Sequence, residues 1–165
     1  MPHDSRTVTT ALSASLTAAN CMAEMGMNAL VFTDTEGSMA SIEVEMAPSV
    51  AMLDAIVAQG DPAEQIAALH ALGDLYTGLA VRMRNALPPA PSGRGHAFEV
   101  ATSDWRLRHA RLEDKLEPWL LKADHAFDAV AELGVDHPQI VAKSPVLRHD
   151  VRVAQRTRHL GVASR

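Results

Sequence analysis

The stretch from Asp61 to Leu87 constrains the fold more than any other part of the chain. It opens Asp61-Pro62-Ala63-Glu64. The aspartate caps free amides, the proline suits the first helical position, and the carboxylate at Glu64 meets the positive end of the helix. Ile66, Leu69, Gly73, Tyr76, Ala80, Met83 and Leu87 follow at alternating steps of three and four, and Leu72, Leu75 and Leu79 broaden the seam. So wide an apolar face predicts a helix packed on more than one neighbour, with Tyr76 and Met83 in the main core. Pro88-Pro89 ends it.

The chain of 165 residues fits one ordinary domain. Its apolar residues are mainly Ala, Leu, Val and Met, with only six aromatics. That balance favours closely packed helices over sheets. Before Asp61, Val8, Leu12, Leu16, Ala19 and Ala23 make a helical stripe, and Gly26 reads as its terminator. The period then falls to two. Residues 29–33 and 39–46 read as strands joined by a turn at Asp34-Thr35-Glu36-Gly37, with Ala40, Ile42, Val44 and Met46 on one face. Two strands alone are marginal, so Ile42, Val44 and Met46 are the expected association edge. Pro48 to Gln59 reads as a short helix.

After Leu87, residues 88–95 form a Pro/Gly linker. Trp105, His109, Leu112 and Leu116 begin a stripe that resumes at Trp119, Ala123, Phe127, Val130 and Leu133. Pro118 falls inside it, and an interior proline costs about 3 kcal/mol, which predicts a kink or break near Glu117. Gly134 is the expected end, and Ser144-Pro145 opens a last helix to about Leu160. The expectation is a mainly α assembly of about five or six helices with one N-terminal β-hairpin. Residues 1–87 supply a helix, the hairpin and a helical core, and residues 96–165 a C-terminal helical half with a basic tail, together one domain.

The net charge of −5 hides an asymmetry. Residues 1–93 hold three arginines against ten acids, whereas residues 137–165 hold six basic residues against Asp150 alone. Arg148, Arg152 and Arg156 recur every four residues, with His159 beyond them. Such a row is a solvated face, docks on Glu43, Glu45 and Asp54, or meets phosphates or a partner. The lone Cys21 excludes an internal disulfide and a thiolate zinc cluster, and its place predicts a packed small hydrophobe. No apolar run reaches membrane-span length, and Ser and Thr interrupt the Ala-rich residues 7–21, so a cytoplasmic location is expected.

Residues Val130 to Ile140 resemble the core of bacterial helix-turn-helix repressors: a turn glycine at Gly134, flanking Leu133 and Val135, and an apolar anchor at Ile140. The segment departs from that pattern at Val130, at Pro138, and at Ser144-Pro145, which truncates the reading helix. It offers Lys143 as that helix's one base. The pairs His70/Asp74 and His109/Glu113 and the set His125, Asp128 and Glu132 have the spacing of helical metal sites. Leu72-Gly73-Asp74-Leu75 also resembles the all-α nucleoside triphosphate pyrophosphohydrolases, although Ala71 stands where that family carries glutamate. No serine elbow and no phosphate-cradling glycine loop is present.

The leading expectation is therefore a small non-catalytic regulator or adaptor that binds protein, self-associates and needs no cofactor. A nucleic-acid-binding regulator using residues 129–160 comes second, and an all-α metal-dependent hydrolase third.

Overall fold

The computed structural model describes the backbone of residues 5–32 and 36–162 and the side chains of residues 14–32 and 38–157. The described residues form six helices and no strand: α1 (Ser5–Ala29), α2 (Glu36–Gln59), α3 (Pro62–Asn85), α4 (His96–Asp136), α5 (Pro138–Lys143) and α6 (Pro145–Val162). Among these residues no helix is long and apolar enough to cross a membrane.

α3 begins as its residues require. Asp61 Oδ1 accepts from the amides of Ala63 (2.8 Å) and Glu64 (3.0 Å), and Glu64 Oε2 accepts from the Asp61 amide (2.9 Å). The two side chains satisfy orphan donors reciprocally. Ile66, Ala68, Leu72, Leu75, Leu79, Ala80 and Met83 are then buried. Tyr76 is half-buried and packs against all three core clusters.

α4 runs antiparallel to α3, because its partners descend as α3 ascends: Phe127 meets His70, Lys122 meets Tyr76, and Glu113 meets Arg84. The 41 residues of α4 outrun the 24 of α3. Its first turns carry the connecting loop instead: Trp105 Nε1 donates to the Pro88 carbonyl at 2.9 Å, and Phe98 lies beside Gly93. Of the expected kink or break near Glu117, no break is found: the helix is continuous through Pro118. Pro118 and Asp114, whose carbonyl loses its bond, are both exposed, so water can take that place. Trp119, next in sequence, is only 1% exposed and anchors the helix, donating from Nε1 to Glu43 Oε1 at 3.0 Å.

The N-terminal hairpin is overturned. Ala29 ends α1, Leu30 to Phe32 are irregular, and residues 36–59 form a single helix that runs through Pro48. The rest of the expected turn and first strand, residues 33–35, lies outside the described residues. Within α2, Ile42, Met46, Ser49, Leu53 and Ile56 are buried at alternating steps of four and three, and Val44 is 75% exposed. Ile42 and Met46 satisfy a period of two and a period near four alike; Val44 separates the two. There is accordingly no strand edge at Ile42, Val44 and Met46.

Gly26 does not end α1. It lies inside the helix with Met46 pressed on it. Gly134 likewise lies inside α4, where an added Cβ would sit 2.7 Å from Val151 of α6. Cys21 is exposed, because Ala19 and Ala23 take the inner face of α1.

Two measurements check this packing. In urea denaturation Ile42→Ala should cost about 2–5 kcal/mol and Val44→Ala no more than about 0.5 kcal/mol. Comparable losses at both positions would restore the strand. Gly134→Ala should destabilise by about 1–3 kcal/mol from overpacking, although alanine is the better helix former. A stabilised variant would show that α6 does not press on this residue.

Candidate functional site

α6 is held by an inner face on which one residue is not apolar. Leu147, Val151 and Ala154 are buried against Ile66 of α3 and against Ala123, Phe127, Val130 and Ala131 of α4. Asp150 is buried with them, its Oδ1 3.8 Å from His70 Nδ1. His70 Nδ1 also lies 3.4 Å from Asp74 Oδ2, and its ring meets Phe127 edge-on. Asp150 fits the helical step of Leu147 and Ala154. The spacing thus carried a signal for its burial that the apolar stripe alone concealed.

With that face turned inward, Arg148, Arg152 and Arg156 are exposed. A rise of about 1.5 Å per residue sets them about 6 Å apart along the axis. Arg148 Nε donates to the Ser144 carbonyl at 3.4 Å, and among the described residues none of the three makes an ion pair. Docking on Glu43, Glu45 and Asp54, one of the alternatives for this row, is not made: α6 packs on α3, α4 and α5, and α2 on α1 and α3. His159 lies in α6, but its side chain is outside those described.

The helix-turn-helix expectation fares differently in its two parts. Gly134 is not the turn, since α4 continues to Asp136 and the chain breaks helix at His137. The would-be reading helix is α5, six residues long with Lys143 its one basic group.

Beyond the approach of Asp150 to His70, the carboxylate and histidine pairs do not assemble further. Among the described residues no three His, Cys, Asp or Glu side chains converge as metal ligands. His109 Nε2 is 4.0 Å from Glu113, but Glu113 is committed to Arg84, whose Nε and second guanidinium nitrogen lie 2.8 and 2.5 Å from its two oxygens. That bidentate bond holds the Glu113 carboxyl below, and the Arg84 guanidinium above, their ordinary values. His125 stands at one wall of an open groove of about 420 Å³. Leu69, Leu72 and Tyr76 of α3 floor it, with Val50 and Asp54 of α2 on one side and Lys122 of α4 on the other.

The chain matches no protein-family model, and no curated protein or solved structure matches it.

Burial holds the Asp150 carboxyl above the usual aspartate range; His70 and His149 pull it down and Asp74 pushes it up. The folded chain therefore keeps this proton to higher pH than the unfolded chain does. Its contribution to stability is present below the unfolded value and is lost as pH rises through the folded one. Asp150→Asn should remove that loss. The stability of the variant minus that of the parent should then grow from the ordinary aspartate range upward, as read by denaturation in a pH series. A difference independent of pH would contradict the assignment.

Proposed function

We propose that this chain is a non-catalytic helical binding protein, a regulator or adaptor, that holds an acidic protein surface on the outer flank of α6. One observation carries the reading: Arg148, Arg152 and Arg156 are exposed in register and make no ion pair among the described residues, while Asp150 and the apolar stripe fix the helix that presents them. A helix anchored in the core presents the three guanidiniums from a backbone already ordered, and each forms charge-assisted bonds to a carboxylate.

Nucleic acid is the second reading, since the same row suits phosphates. Three contacts are few, however, α5 is too short and too little charged to enter a groove, and the whole chain is at −5.

Fluorescence anisotropy of a labelled acidic amphipathic peptide and of a labelled DNA duplex, at low and moderate salt, decides between them. The expected result is salt-sensitive peptide binding that is lost in the Arg148→Ala, Arg152→Ala, Arg156→Ala triple variant. That variant should keep its stability within about 1 kcal/mol. Binding of DNA instead, with a salt slope that falls by about 1 for each arginine removed, would move the chain to the second reading. No binding of either probe at low salt would end both.

A further inference from the structure

The outer side of α4 carries a surface of opposite sign. Asp114, Glu117, Leu121 and Asp124 recur at steps of three, four and three, and all are exposed. With Glu113 and Leu120 they border a shallow depression of about 360 Å³. Leu121 is 44% exposed between the carboxylates. This stripe lies on the far side of α4 from the seam of Leu112, Leu116, Trp119 and Ala123. Asp128 and Glu132, further along the helix, are already engaged in other interactions.

We propose that the acidic surface held by the arginine row is the α4 stripe of a second copy of this chain. The proposal rests on the reading of the row given above and names its partner. Each molecule then offers both halves of the contact on helices that pack together, α4 and α6. That is the condition for a two-fold, self-complementary interface in which each row meets the other copy's stripe. The lengths agree: three arginines at four-residue steps span about 12 Å, and Asp114 to Asp124 about 15 Å. Leu121 gives the interface an apolar centre, where charge pairs alone would be screened. Within one chain, among the described residues, no arginine of the row pairs with the stripe. The stripe also argues against nucleic acid, because a polyanion approaching α6 meets the carboxylates of the neighbouring helix.

Sedimentation velocity of the full chain tests this. The parent should be a dimer at low salt and dissociate as salt is added. Two charge-reversed proteins are then made: one carries Arg148→Glu, Arg152→Glu and Arg156→Glu, the other Asp114→Lys, Glu117→Lys and Asp124→Lys. Each alone should be monomeric, because each now sets like charges against like. Mixed in equal amounts they should form a dimer, since one contact is then the native pairing and the other is restored with its signs exchanged. Leu121→Ala, an exposed truncation that leaves the fold intact, should weaken the parent dimer about tenfold and keeps the test open if a reversed protein fails to fold. A parent that stays monomeric at low salt overturns the proposal but leaves the peptide and DNA measurements to judge the row. A dimer that survives either reversal, ignores Leu121→Ala, or fails to re-form in the mixture of two folded reversed proteins also overturns it.

Discussion

The close approach of α3 and α4 around Gly73 is the constraint on which the remaining structure depends. A Cβ at this position would lie 2.6 Å from Phe127 Cζ, so the absence of a side chain lets the ring enter the seam. One turn above, Tyr76 packs on all three core clusters, and at the far end Arg84 and Glu113 close the pair with a bidentate bond. The other helices are fixed by reference to this pair. α2 packs on α3, and α1 on both; α6 packs on α3 and α4. Loss of register here would displace every other contact at once.

The same device recurs at the two outer contacts. Gly26 admits Met46 between α1 and α2, and Gly134 admits Val151 between α4 and α6. In each case a glycine inside a helix receives a large side chain from the neighbouring helix. The packing gained offsets a helix-propensity cost of about 1 kcal/mol. The prolines are treated in the opposite way. Pro48 and Pro118 both lie inside helices but are exposed, so the lost backbone bond opens towards water instead of the core. Gly26, Gly73 and Gly134 mark contacts between helices, and Pro48 and Pro118 mark surface.

Charge is distributed with equal economy. Among the described residues no arginine or lysine of the chain's basic end forms an ion pair with a carboxylate of its acidic end, and α2 and α6 both pack on α3 without meeting. One carboxylate of the basic segment, Asp150, is buried toward His70 instead of being spent on the arginines beside it in sequence. What remains on the outside is a positive flank on α6 and a negative stripe on the packed neighbour α4. Opposite signs on two helices that pack together favour a partner with the complementary pattern over a uniform polyanion.

Local chemistry alone determined several features. The α3 cap could be read from Asp61, Pro62 and Glu64, because capping bonds form between neighbours in sequence. The four-residue recurrence of the arginines placed them on one flank, since helical geometry sets that directly. Tertiary structure decided the rest. Ile42 and Met46 fit a strand or a helix equally, and only their burial beside an exposed Val44 resolves the period. Gly26 and Gly134 carry the signature of helix ends, yet they serve as sockets, because the side chain that fills each comes from another helix. Whether the arginines meet the chain's own acids depended on which faces of α3 and α4 received α2 and α6. That choice is made by apolar burial between segments distant in sequence, a term that no local pattern contains.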